Sequence, residues 1–221
     1  MKEVLIIMIA YLIGSIPTSV WVSRYFFDID IREYGSGNAG ATNTFRVLGK
    51  KWGTFVMLAD MLKGLAAVKL AYLLPFYIDH DLARTSLQIG LGLAAVLGHI
   101  FPIWADFRGG KGVATLFGLV LGISPWSALC CSGVFILVLY VTRFVSLSSI
   151  LASVAFPVFI LVIFNVDNHA YRVFAVVVAL MVILTHQKNI NRILKGNESK
   201  VPILKHRDRR RQRRKEMNSD D

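Results

Sequence analysis

Apolar residues run along this chain in blocks, at about 4–23, 53–74, 84–101, 113–123, 127–141, 150–164 and 171–187, each closed by glycine, proline or charge. Most blocks approach the ~20 residues that a helix needs to cross ~30 Å of hydrocarbon. The pattern predicts an all-α integral membrane protein with seven transmembrane helices, some of them short. Val113–Ile123 is the weak block, because at 1.5 Å per residue it covers only ~16 Å. It is either a short buried helix or the first half of one kinked span over 113–140. Merging it alone changes the parity of the crossings. Merging 150–187 as well restores parity but buries Asn165, Asp167, Asn168 and His169 in mid-helix, so seven crossings are preferred. The first block, Val4–Ser23, resembles a signal peptide, yet no Ala-x-Ala cleavage site follows and further spans do. It reads as a retained helix.

Composition agrees with the pattern. Of 221 residues, 55% are hydrophobic, and a soluble domain that apolar would lack polar surface to clothe itself. The net charge of +11 would suit a nucleic-acid binder, but twelve of the 25 Lys and Arg lie beyond Gln187, most densely in Arg207–Lys215. A basic tail directly after the last apolar block reads as a positive-inside anchor near anionic lipid, or as a solvated tail without a partner, and implies no nucleic acid. With the tail in the cytosol, an odd number of crossings places the N-terminus outside. Arg24–Trp52, Pro102–Lys111 and Thr142–Ser149 then face inward, and the outward turns hold one basic residue, Arg84. Residues 1–188 read as one polytopic domain and 189–221 as a basic cytoplasmic tail. Cys130 and Cys131 are adjacent within an apolar run and indicate neither a disulfide nor a metal site.

The polar residues that interrupt the blocks gather on the inward loops. Gly35-Ser36-Gly37-Asn38-Ala39-Gly40-Ala41-Thr42-Asn43-Thr44-Phe45-Arg46 combines small residues, hydroxyls, amides and a guanidinium, a set that can enclose an anion or simply make turns. Gly109-Gly110-Lys111-Gly112-Val113-Ala114-Thr115 stands directly before an apolar helix, where backbone amides and a lysine favour phosphate. It lacks the Gly-x-x-x-x-Gly-Lys-Ser/Thr spacing of a Walker loop, so a glycine elbow is its alternative. Ser146-Leu147-Ser148-Ser149 precedes another apolar block and could equally cap a helix. His186, Asn189 and Arg192 recur every third residue, which puts them on one helical face at the inner end of the last block. Asp60 and Lys63, one turn apart inside the second block, read as a mutually neutralising pair. His99 reads as a polar helix end, and Asp106 and Arg108 flank the glycines. No metal-ligand cluster, His-x-x-x-x-Asp pair or Gly-x-Ser-x-Gly elbow is present, and no cofactor is implied.

Taken together, Gly14-Ser15-Ile16-Pro17, Gly35–Arg46 with Gly49, Asp60-Met61-Leu62-Lys63-Gly64, Gly98-His99, Phe107–Thr115 and His186–Arg192 closely resemble the bacterial acyl-phosphate:glycerol-3-phosphate acyltransferase family (PlsY). The motifs occur in order from about Ile9 to Lys195. The resemblance implies seven membrane helices in the bacterial cytoplasmic (inner) membrane, with the active site facing the cytosol. It implies transfer of a fatty acyl group from acyl phosphate to the 1-hydroxyl of glycerol 3-phosphate, giving lysophosphatidic acid and phosphate. Ser36, Arg46, Lys111, Ser148, His186 and Asn189 match the family's catalytic and substrate-binding positions, with Asn38, Gly109, Gly110, Gly112, Ser149 and Arg192 assisting. The family is thought to work without a protein base, and the residues leave His186 open as one. A transporter would want midplane charges and repeated halves, and a phosphatase a nucleophile or metal. The sequence displays neither set.

Overall fold

The computed structural model describes residues 1–201, and no strand occurs among them. Helices α1 (Lys2–Ser15) and α2 (Thr18–Phe27) form one long apolar segment broken at Ile16-Pro17. Proline supplies no N–H and drives the preceding residue out of helical space, and Ile16 is extended at φ −60°, ψ 109°. The short α3 (Ala41–Val47) leads into α4 (Gly49–Lys69), followed by α5 (Asp81–Ile100) and α6 (Val113–Ile123). Next come α7 (Pro125–Thr142), α8 (Val145–Val158), α9 (His169–Thr185) and α10 (Gln187–Leu194). Pro157 lies inside α8, and a π-helical turn, Phe159–Ile163, continues it. A missing N–H is a common cause of such a local change of helical pitch.

Each apolar block of the sequence is helical. Ser124 is extended between α6 and α7, and a non-helical stretch near Asn165–Asn168 separates α8 from α9. Among the described residues, four segments can cross a membrane by length and composition alone: Lys2–Phe27, Asp81–Ala105, Pro125–Thr142 and Val145–Ile163. The α9–α10 pair, bent by 59°, makes a fifth. Helix α4 is long enough at 21 residues but carries Asp60 and Lys63 in its middle, while α6 has only 11 residues.

Small residues set how closely the helices cross. A Cβ on Gly118 of α6 would lie 1.9 Å from the Met61 carbonyl oxygen, and one on Gly64 of α4 would lie 2.0 Å from that of Thr115. Gly14 of α1 meets Ala95 of α5 in the same way. Backbones at such distances replace side-chain interdigitation with direct van der Waals contact, a device suited to helices in lipid. The main core joins Val68, Val96, Leu119, Phe156, Phe174 and Val182 from α4, α5, α6, α8 and α9. By contrast α7 exposes Leu129, Ile136, Leu137, Tyr140 and Val141. Apolar surface of that kind belongs against hydrocarbon rather than water.

Candidate active site

The loop after α2 is wound around one buried amide. Asn43 Oδ1 accepts the Ser36 N–H at 2.8 Å, and its Nδ2 donates to the carbonyls of Ile31 at 3.0 Å and Tyr34 at 2.9 Å. Gly35 sits at φ +64°, and a Cβ there would come within 2.3 Å of Asn43 Oδ1. Glycine is required on both counts. Ser36 and Asn38 are half-buried on the resulting curl, and Arg46 stands exposed in the last turn of α3. Arg32 ties this loop to the next: its guanidinium holds Asp30 at 2.7 Å and donates to the Ala105 carbonyl at 2.9 Å. The Arg32 hydrogen bonds keep the Asp30 carboxyl far below the usual carboxylate range.

The second loop folds back on the end of α5. The N–H groups of Gly109 and Gly110 donate to the carbonyls of Ile100 and His99, both at 3.1 Å. Those two amides are thereby engaged within the chain, and the residues' lack of a side chain is what the packing uses. Gly112, at φ +77°, turns the chain into α6, whose N-terminus has no side-chain cap. Lys111 projects between these features and donates to Asn189 Oδ1 across 78 positions of sequence. Burial, helped by Arg192 and Arg46 and opposed by Glu198, pushes its ammonium down to about 8.

The third part comes from α8, the α9–α10 bend and the segment that follows. His186 caps α9, and its Nδ1 lies 2.8 Å from the Val182 carbonyl. A carbonyl accepts only, so Nδ1 carries the proton and Nε2 keeps a free lone pair. One helical turn on, Asn189 Nδ2 donates to Glu198 Oε1 at 2.6 Å, and Arg192 Nε donates to Glu198 Oε2 at 2.7 Å. Ser146 Oγ donates to the same carboxylate at 2.7 Å. Burial works to raise Glu198, but these donors outweigh it and hold the carboxyl below its ordinary value.

Lys111, Asn189 and Arg192 thus meet through direct bonds or a shared carboxylate, with His186 and Arg46 within electrostatic reach of Lys111. Ser148 and Ser149 are buried on α8, but their hydroxyls donate to the Phe144 and Val145 carbonyls of their own helix, at 2.8 and 2.9 Å. Of the serine cluster it is Ser146 that joins the network. Glu198 carried no signal in the apolar pattern, and Asn43 looked like one more loop amide. Arg192 is paired with Glu198, Lys111 lies near both, and Arg46 is within electrostatic reach of Lys111, leaving net positive charge in a partly dry setting, which suits a phosphate. The basic run Arg207–Lys215 lies outside the described residues.

The family described as glycerol-3-phosphate acyltransferase matches residues 4–196 of the chain. A glycerol-3-phosphate acyltransferase of Chlorobium chlorochromatii (strain CaD3) is 41% identical over 230 aligned positions, covering 91% of this chain and 97% of that protein. One of Macrococcus caseolyticus (strain JCSC5402) is 43% identical, covering 93% and 100%. Among solved structures, the glycerol 3-phosphate form of PlsY (YgiH), an integral membrane glycerol 3-phosphate acyltransferase, superposes with a TM-score of 0.79 at 36% identity, over 92% of this chain and 98% of that one. Its lysophosphatidic acid form superposes with a TM-score of 0.76.

Proposed function

This chain belongs to the glycerol-3-phosphate acyltransferase family, and we propose that its acyl donor is a fatty acyl phosphate and its product lysophosphatidic acid. The observation that carries the reading is the convergence of Arg46, Lys111 and Arg192 beside a histidine with a free Nε2 lone pair. Both substrates of that reaction bear phosphate, and three cations beside one carboxylate favour dianionic groups. Arg46 and Lys111 hold the phosphate of glycerol 3-phosphate. Ser36 and Asn38 line that side, with the glycines at 109, 110 and 112 keeping the loop close. Ser148 and Ser149, whose oxygens still accept, line the donor side.

The chemistry asks little beyond alignment. Acyl phosphate is a mixed anhydride with a good leaving group, so placing a hydroxyl against its carbonyl captures most of the available acceleration. The 1-hydroxyl oxygen bonds to the carbonyl carbon, the carbon–oxygen bond to phosphate breaks, and the hydroxyl proton goes to a phosphate oxygen. His186 Nε2 accepts a hydrogen bond from the neighbouring 2-hydroxyl of the acceptor and so aims the 1-hydroxyl, whose own proton stays free for the phosphate oxygen, with Asn189 holding Lys111 beside it. The acyl tail lies between helices in the bilayer, and glycerol 3-phosphate comes from the cytosol. Purified protein given labelled glycerol 3-phosphate should form lysophosphatidic acid with acyl phosphate and not with acyl-CoA or acyl carrier protein. Equal transfer from a thioester donor overturns the donor assignment.

We further propose seven crossings of the bacterial cytoplasmic membrane, with the N-terminus outside, the three loops inside and the C-terminal segment in the cytosol. Charge asymmetry between the loops supports this, as does exposed Lys50 at the start of α4. With Cys130 and Cys131 replaced by alanine, Lys50→Cys should resist a membrane-impermeant thiol reagent in intact cells and react after lysis. Ready labelling in intact cells sinks this topology.

A further inference from the structure

Asp60, Lys63 and His99 form a buried polar cluster outside the substrate-facing groups. They are 2%, 6% and 8% exposed, in the packing between α1, α4 and α5. Charge at such depth is costly unless matched, and apolar side chains would fill the same volume without that cost. Lys63 is matched twice. Its Nζ lies 2.6 Å from Asp60 Oδ1, and it also donates to the Ile16 carbonyl at the break between α1 and α2, which accepts the Thr18 N–H as well. Asp60 Oδ1 in turn faces His99 Nδ1 at 3.7 Å. His99 is therefore no mere helix end.

The other edge of the imidazole carries the cluster toward the loops. A Cβ on Gly110 would stand 2.2 Å from His99 Nε2 and 2.7 Å from the Ala39 carbonyl oxygen. The His99 carbonyl accepts the Gly110 N–H at 3.1 Å, so ring and backbone both bear on that one glycine. Gly110 immediately precedes Lys111, and Ala39 immediately follows Asn38. The imidazole is a floor on which the Lys111 loop rests, and the loop in turn abuts the Ser36–Gly40 curl.

We propose that His99, held in place by the Asp60–Lys63 pair, is a positioning residue that sets the register of the Lys111 loop against the Ser36–Gly40 loop. This rests on the reading of those loops as the glycerol 3-phosphate site. Lys63 extends the arrangement to the α1–α2 break, so three elements share one set of buried contacts. A charge-assisted contact from Lys111 to phosphate depends on distance and direction, so the thickness of one ring is a consequential dimension here.

His99→Ala removes the floor, and Asp60→Asn combined with Lys63→Met removes the anchor while keeping the interior neutral. Asp60→Asn alone would strand a buried ammonium, so the double variant is the one to use. Both proteins are purified in detergent and compared with Lys111→Ala for kcat, KM and thermal midpoint. The expected result is a rise in the KM for glycerol 3-phosphate of about tenfold in His99→Ala, the low end of what a hydrogen bond to a charged group contributes, and a smaller rise in the double variant. The kcat and the thermal midpoint should stay near the parent values. An unchanged KM in folded His99→Ala overturns the proposal, as does activity that falls only in step with the amount of folded protein. If His99→Ala does not fold, the double variant decides by the same criteria. If Lys111→Ala itself keeps a normal KM and kcat, the phosphate-site reading has failed, and the comparison distinguishes that from failure of the His99 role alone.

Discussion

Lys111→Ala is expected to lower kcat/KM for glycerol 3-phosphate by about a hundredfold while the protein remains inserted and folded. A hydrogen bond to a charged partner contributes about 1.5–3 kcal/mol, or roughly ten- to 150-fold, and more where water is excluded. Lys111 also satisfies Asn189 Oδ1, so its loss leaves an amide oxygen without its donor beside the Arg192–Glu198 pair. The same residue predicts a pH dependence. Burial and the neighbouring guanidinium groups bring its ammonium down to about 8. As pH rises through that value in the free enzyme, the cation facing phosphate is lost, so kcat/KM should fall on the alkaline side. A guanidinium stays charged there, so Lys111→Arg, at whatever residual rate it works, should move that alkaline limb to higher pH. The pH–rate profile of the two proteins is the measurement. Near-normal turnover in Lys111→Ala, or an identical alkaline limb in Lys111→Arg, would place the phosphate elsewhere.

The second large effect concerns the proton. His186 Nδ1 is committed to the Val182 carbonyl at 2.8 Å, which leaves Nε2 as the edge available to a substrate hydroxyl. An imidazolium formed there would be a buried charge, and it would stand near the Lys111 ammonium. Taking the proton is therefore unfavourable, whereas accepting a hydrogen bond costs nothing of the kind. With substrate phosphate as proton acceptor, His186→Asn and His186→Gln, which can still hydrogen-bond, should retain roughly five- to tenfold more activity than His186→Ala. That factor corresponds to the ~1 kcal/mol net value of a neutral hydrogen bond. All four proteins should share the shape of their acid limb. A general base predicts the opposite: three equally damaged variants, and a wild-type acid limb that the variants lack. Finding that limb would remove the substrate-assisted step and leave the family membership intact.

What the residue order determined by itself is whatever depends on neighbours within a few positions. The helical blocks were legible because burying or spanning a helix needs a sustained apolar run, although Val4–Ser23 reads as one helix and the structure breaks it at Ile16-Pro17, where proline acts on its own backbone and its neighbour's. The Asp60–Lys63 pair was legible because residues one turn apart share a face, as was the pairing of Asn189 and Arg192 on one side of α10, whereas the 59° bend at His186 was not. Contacts across long separations were decided only by the tertiary structure. Lys111 reaches Asn189 over 78 positions, and Ser146 reaches Glu198 over 52. No local periodicity marks Glu198, which lies beyond α10 in a polar stretch and joins the cluster only because the chain doubles back. The serines show the same limit. Three hydroxyls within four positions look alike in sequence, yet the helix turns Ser146 to the carboxylate and lets Ser148 and Ser149 bond their own backbone carbonyls. Gly109 and Gly110 looked like free amides for a phosphate, but the fold engages both with the end of α5 and uses their missing side chains to seat the loop on His99. Small size and helical spacing are properties of one stretch of chain. Which partner fills the space they leave is a property of the packing alone.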